Sequence, residues 1–414
     1  YQYGLEVEQR LVLATDFFMD LAYDFSSSRS TNKRYIYDAD ASGNYTVLND
    51  SLSRDFEVDP YRHTPNIGFN YDHEAWRINT NVGLLNTILQ NENLLNPANF
   101  DNTYNNLYLS ARVRYELERS KSISVDYRTN ANTPSIRQLQ PVADRTNPLN
   151  IVVGNPALRP AYSHNIGANF RSFNFGAGGG SGIFSSFDLS FTENQVVSVS
   201  TIGDDLRRTT TYANVDGAMS AGARIFYTKS SRKEEKEFRY NFTLRGNFSR
   251  NVGFTNGTLF NSERFSLSPG VRMTYAIQEV FEVNPSYNLT YNDTRYSINE
   301  NRNEDFINHR VGFEATTFWP KNVIFGNDIS YNYNGNVSPG FQNSSILWNT
   351  SLGYQFLDEK ATLKLKVYDV LDQVVDTRRI IGDDYIQDTN SLILTQYAML
   401  SFTYKLSNFG GQSG

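Results

Sequence analysis

Alternation is the feature that most restricts the fold. Trp76, Ile78, Thr80, Val82 and Leu84 share one parity, and Arg77, Asn79, Asn81 and Gly83 hold the other. Successive side chains of a β-strand point to opposite faces, so this stretch makes a ribbon with one apolar and one polar side. Leu107, Leu109, Ala111, Val113, Tyr115 and Leu117 repeat the pattern against Tyr108, Ser110, Arg112, Arg114 and Glu116. Ile123, Val125 and Tyr127 repeat it against Ser124, Asp126 and Arg128, and Phe238, Tyr240, Phe242 and Leu244 against Arg239, Asn241, Thr243 and Arg245. A helix would need a period of about 3.6 instead. No apolar run is long enough for a transmembrane helix, which takes about 20 residues.

Composition says what the two faces meet. The chain has 27 Tyr and 28 Phe among 414 residues, yet its mean hydropathy is −0.50. Many aromatics in a polar average suit strands that show lipid on one side and water on the other. Soluble β-sandwiches are the rival arrangement for many short strands. There are no cysteines, so disulfides, thiolate metal sites and thiol catalysis are excluded. A net charge of −6 argues against a nucleic-acid partner.

The longest segment without alternation covers 29 residues, from Asn132 to Pro160. Pro134, Pro141, Pro148, Pro156 and Pro160 fall there, and proline has no backbone donor, so no central strand runs through it. Gly154-Asn155 before Pro156 reads as a tight turn. A long loop between regular strands usually has a task. Its wording resembles a loop of the outer-membrane β-barrel region of TonB-dependent receptors. The matching residues are Thr133, Pro134, Ser135, Ile136, Gln138, Leu139, Pro141, Asp144, Asn147, Pro148, Leu149, Gly154, Asn155, Pro156, Leu158 and Pro160, at fixed spacing. The likeness extends along most of the chain, including KLKVYDVLDQ and QYAMLSFTYKLSNF near the end.

That resemblance implies an all-β, transmembrane, antiparallel up-and-down barrel in the outer membrane of a Gram-negative bacterium. It implies energised import of a small ligand such as a metal chelate, vitamin, glycan or peptide, with no cofactor. It also implies a lipid bilayer and lipopolysaccharide around the barrel, TonB as partner, and barrel-assembly machinery during biogenesis. A non-transporting barrel that scaffolds surface lipoproteins or other outer-membrane subunits is the second reading. The last strand places Leu400, Phe402, Tyr404 and Leu406 on its apolar face, which resembles the carboxy-terminal assembly signal, although SNFGGQSG follows it. The motif loop is expected to lie outside the cell and to fold inward or cap its neighbours. Asp144 and Asn147 are the candidates for its internal bonds, and Arg137 or Arg145 for ligand contact.

Other segments read as punctuation. Asp38, Asp40, Ser42, Gly43 and Asn44 imitate a calcium loop, but position twelve is Asn49 and no helices flank it, so a hairpin tip fits better. FGAGGGSG at 175–182 lacks the ending of a phosphate loop and reads as a flexible turn. Lys229 to Glu237 reads as a solvated periplasmic turn. Pro269 and Pro285 sit within strands, where bulges or lost ladder bonds are expected. His63, His73, His164 and His309 lie far apart, and no nucleophile–base spacing is present, so the chain is not read as an enzyme. The acid pairs Asp204-Asp205 and Asp383-Asp384 fall on outer loops. Tyr45, Tyr61 and Tyr104 are loop aromatics able to stack on a ligand or anchor the interface.

Arg112, Arg114, Asp126, Arg128, Arg239, Arg245, Arg272, Glu282, Glu314 and Asp328 lie on polar faces. Buried in a small barrel they would be costly, so a wide, wet lumen is expected, with Arg112 or Arg114 facing Asp126 across the 118–120 turn. About seventeen strands can be counted, short charged turns alternating with long loops. An odd count descending from an outer loop implies that an odd number of strands precedes Tyr1. Plugged transporters have about 22 strands. On that count residues 1–414 form the carboxy-terminal part of the barrel, and about five strands and an amino-terminal plug lie before them.

Overall fold

The computed structural model describes residues 2–49, 53–93, 100–298, 300–374, 376–381, 386–391 and 394–405. The alternating segments form one large antiparallel sheet of eighteen strand segments. Two of these, Phe17–Ser28 and Ser30–Arg34, lie end to end against Arg54–His73, so the sheet is seventeen strands across. Each strand pairs with its neighbours in sequence, from Gln2–Ala14 at one edge to Tyr397–Tyr404 at the other. Short links such as Glu74-Ala75 and Glu234-Glu235 close one end of the sheet, and the long links, with the two-residue Asn256-Gly257 among them, close the other. Spanning a bilayer takes about 9–11 residues per strand, whereas Lys236–Thr255 and Thr258–Ile277 each have 20. Such strands are about twice the length that a bilayer requires. Asn256 (φ +47°) and Gly257 (φ +75°) join these two, as the two-residue turn with positive φ at both centres requires.

Two expected strands are each cut. The 183–199 stretch ends in the main sheet at Glu193 and restarts as Gln195–Ile202. The 206–228 stretch divides into Arg208–Val215 and Ala218–Lys233. The cuts fall at Asn194 (φ +53°) and Gly217 (φ +96°), and the Asp216 carboxylate accepts the Asn194 N–H at 2.7 Å. Alternation continues across both breaks, so the pattern alone conceals them. The freed hairpin joins Asp144–Asn147 and Asn150–Val152 in a separate four-stranded sheet. The glycine tract at 175–182 is also tighter than a flexible turn, since the ladder runs to Gly176 opposite Gly179.

Pro269 and Pro285 act on one ladder. Between Thr258–Ile277 and Phe281–Tyr296 the pairing skips both prolines, while the register on either side is unchanged. Both still align with their other neighbours, Leu244 and Phe313. Proline thus removes bonds without a bulge.

The sheet wall has little core of its own, as suits a surface meeting lipid on one side. The large side chains that are fully buried, Phe56, Leu139 and Leu158, all lie at the long-loop end. The packed part of the described molecule is its long-loop end.

Candidate functional site

The motif loop folds by short-range rules. Ile136–Leu139 makes one helical turn, and the Gln138 amide oxygen accepts the Ser135 N–H at 2.8 Å. This side chain reaching back to the start is the capping-box bond. The returning half of the loop then closes on this turn. Gly154 N–H donates to Gln140 O at 2.8 Å, and Asn155 N–H to Gln138 O at 2.6 Å. A Cβ on Gly154 would lie 2.3 Å from Gln140 O, so only glycine fits the clasp. Asn155 completes it, with Oδ1 accepting from Ala157 N–H at 3.0 Å and Nδ2 donating to Tyr212 O at 2.9 Å.

The loop spans its neighbours. Asn150–Val152 runs parallel to Arg208–Thr210, and the Asn214 side chain brackets Arg159 with bonds of 2.8 and 2.9 Å. Leu139 and Leu158 pack with Leu89, Tyr104, Val196 and Tyr212. Leu89 shares the parity of Arg77 and Gly83, and Tyr104 that of Arg112 and Arg114. The loop therefore folds over the polar face, which in a barrel is the inside. Asn147 makes an internal bond, accepting Leu149 N–H at 3.0 Å. Asp144 reaches outside the loop, pairing with Arg34 at 2.6 Å. Tyr104 is tied down too, its hydroxyl donating to Leu158 O at 3.0 Å. Its place under the loop makes it a structural support and not a free stacking platform. Pro134 and Pro160 are buried, while Pro141, Pro148 and Pro156 are exposed at bends.

The charges predicted for the lumen fall on the polar face. Arg112 stands directly opposite Asp126. Arg114 pairs with Glu116 at 3.1 Å and Arg272 with Glu314 at 2.6 Å, and Arg239 pairs with Glu237. Arg245 faces another arginine, Arg224, across the ladder. Asp126 sits over Gly167, where a Cβ would lie 2.8 Å from its carboxylate. The cavities along this wall include ones of 720 Å³, 440 Å³ and 330 Å³. Leu400, Phe402 and Tyr404 are exposed on the apolar face of the last strand; Leu406 lies outside the described residues.

The remaining candidates are turn or interface residues. Asp40 accepts Ser42 N–H at 2.8 Å, Asn44 N–H at 3.0 Å and the Thr46 hydroxyl at 2.8 Å. These donors, the Asn44 backbone first, hold its carboxyl below the usual range. Asp205 accepts Arg207 N–H at 3.1 Å; Asp383-Asp384 lies outside the described residues. The histidines stay apart. His63 and His164 bond tyrosine hydroxyls, both at 2.8 Å, and His73 bonds Asp16 at 2.7 Å. Among the described residues no group of three or more acids and histidines is arranged to hold a metal.

Comparison places this architecture. The chain belongs to the outer membrane protein β-barrel family, whose model matches residues 16–275 and 263–404. It is an outer-membrane β-barrel protein of a Gram-negative bacterium. Similar solved structures include the outer membrane transporter YddB from Escherichia coli, at 8% identity over 98% of this chain and 75% of that one, TM-score 0.25. The open form of the ferric-catecholate import receptor Fiu from E. coli K12 has 12% identity over 97% and 73%, TM-score 0.27. FpvA of P. aeruginosa, bound to a heterologous pyoverdine, has 9% identity over 97% and 63%, TM-score 0.30. No curated protein matches the chain.

Proposed function

We propose that this chain forms the barrel wall of a TonB-dependent importer. The observation that carries the reading is a sheet whose polar face holds ion pairs and cavities while an ordered outer loop folds over that face. Such a wall suits a wet passage whose outer mouth is partly roofed. Arg224 and Arg245 add support. They face each other with no acid partner among the described residues, and like charges directly opposite destabilise a sheet. An acidic segment inside the barrel would relieve them, as a plug domain does by occupying the lumen.

The barrel is larger than this sheet on the same reading. Among the described residues no ladder joins Gln2–Ala14 to Tyr397–Tyr404, so further strands stand between these two edges in a closed wall of about 22 strands. Residues 1–414 are then its carboxy-terminal part, and TonB engages a region before them. Leu400, Phe402, Tyr404 and Leu406 serve as the assembly signal.

The test compares periplasmic solutes in cells that have the full-length protein, lack it, or have it without TonB. Import predicts a solute enriched only in the first. Identical pools in all three would contradict transport. The scaffold reading has its own observation, since Leu149, Ile202 and Leu206 are 63%, 58% and 79% exposed at the outer tip. Exposed apolar groups clustered at a surface mark contact with another protein. Identical solute pools with a stoichiometric co-purifying lipoprotein would favour it.

A further inference from the structure

The polar wall contains a cavity lined mainly by side-chain amides and hydroxyls. Near the outer ends of Phe281–Tyr296, Glu304–Thr317, Val323–Asn334 and Ser344–Phe356, the 330 Å³ cavity is lined by Asn288, Asn308, Asn332, Asn334 and Asn343, with Gln342 beside them. Arg310 is the only arginine or lysine in that lining, and it contains no carboxylate.

The register sets these side chains in two rows. Thr290, Asn308 and Asn334 stand side by side on adjacent strands, as do Asn288, Arg310, Asn332 and Ser345. Neighbouring strands are about 4.8 Å apart, so polar groups repeat at roughly that interval across the rows. Two amides are oriented by the backbone: Asn308 Oδ1 accepts Gly335 N–H at 3.0 Å, and Asn334 Oδ1 accepts Asn336 N–H at 3.0 Å. Their NH₂ groups are left as donors, with no partner among the described residues. Each primary amide offers two donors and an acceptor oxygen, so the rows match a ligand that both donates and accepts at closely spaced points.

The neighbouring 720 Å³ cavity adjoins the rows but is charged, its lining holding Asp126, Asp188, Asp293 and Glu304 with Arg128 and Arg264. Phe306 and Asn292 line it as direct cross-strand partners, one step along from Asn308 and Thr290. The partly buried Phe306 ring beside amides offers a face for the C–H groups of a sugar. A multiply charged chelate or an acidic peptide would need several cations, as charge-assisted bonds do. An apolar vitamin would need an apolar lining.

We infer that the amide rows are a binding site for a neutral, hydroxyl-rich ligand, an oligosaccharide. The inference rests on the import reading only for the direction of travel, because binding is measured without transport. Full-length protein in detergent is applied to an array of neutral oligosaccharides, with ferric chelates and acidic peptides in parallel. The expected result is binding to at least one neutral oligosaccharide. Asn308→Leu with Asn332→Leu should weaken it at least tenfold, while Arg310→Ala and added salt change it less than threefold. Asn332→Asp, which keeps the side-chain shape, serves if the double variant does not assemble, and it too should weaken binding. Failure of every neutral oligosaccharide to bind would overturn the inference. So would binding indifferent to these variants, or binding of charged ligands alone with dependence on Arg310. Oligosaccharide binding without TonB-dependent uptake would overturn import and leave this site standing. Uptake of charged solutes alone would do the reverse.

Discussion

Gly154→Ala should open the motif loop and leave the barrel intact. The added Cβ would meet Gln140 O at 2.3 Å and Gln140 N at 2.6 Å, far inside contact distance, and both atoms are backbone. The two halves of the loop must separate, losing the bonds Gly154 to Gln140 and Asn155 to Gln138. Two backbone hydrogen bonds are worth about 1–3 kcal/mol together. If Leu139 and Leu158 then lose their burial, each adds about 1.5–3 kcal/mol. The loop is thus destabilised by about 1–3 kcal/mol from the bonds alone and by about 4–9 kcal/mol if both leucines are exposed, enough to raise its open population about fivefold at the least. Trypsin applied to outer-membrane vesicles reads this directly, since Arg137 and Arg145 lie in the loop. Cleavage there should appear at far lower protease concentration, while the heat-modifiable migration of the folded barrel is unchanged. Gly178→Ala is the control, because nothing lies within 4 Å of its new Cβ. Equal loop cleavage in Gly154→Ala and wild type would refute the clasp.

Other substitutions separate the layers of the structure. Asn155→Ala removes bonds to Ala157 and Tyr212 and should destabilise the loop by about 1–3 kcal/mol, measured by the same cleavage. Glu314→Gln weakens the pair with Arg272, both side chains about half exposed; a thermal scan should change by no more than about 1 kcal/mol, and a larger loss would mean the wall is drier than argued. In the outer hairpin Asp376–Ile381 with Ile386–Ser391, Arg379 holds Asp388 at 2.8 Å and lowers its carboxyl to about 2. The depressed value means the stabilisation is complete above the ordinary 3.8 and is lost as pH falls through about 2. Hydrogen exchange of this hairpin should therefore stay slow at pH 3, and loss of protection with a midpoint near 4 would count against the tie.

The barrel class was legible because a wall with lipid on one side and water on the other writes its geometry into every second residue. The polar-face positions of Arg112, Arg239 and Arg272 followed from parity alone. The hairpin 195–215 was not legible. Its residues alternate like the wall, and only Asn194 and Gly217 mark the points where it leaves. The pairing of Asp144 with Arg34 was not legible, because Arg34 lies over a hundred residues earlier, a distance that local pattern cannot bridge. The same holds for Tyr104, whose role under Leu158 depends on two loops meeting. The amide rows were hidden because Asn288, Asn308 and Asn332 belong to three separate strands, and only the register aligns them.

The most direct test of the account is the orientation of one wall strand. The chain has no cysteine, so single cysteines can be introduced along Lys236–Thr255 in the full-length protein and spin-labelled in bilayers. Labels replacing Phe238, Tyr240, Phe242 and Leu244 should show high collision with oxygen and little with a water-soluble nickel reagent. Labels replacing Arg239, Asn241, Thr243 and Arg245 should show low collision with oxygen. A period of two along the strand is the predicted result. A uniform profile, or lipid contact at the arginine positions, would contradict a membrane barrel with a polar lumen.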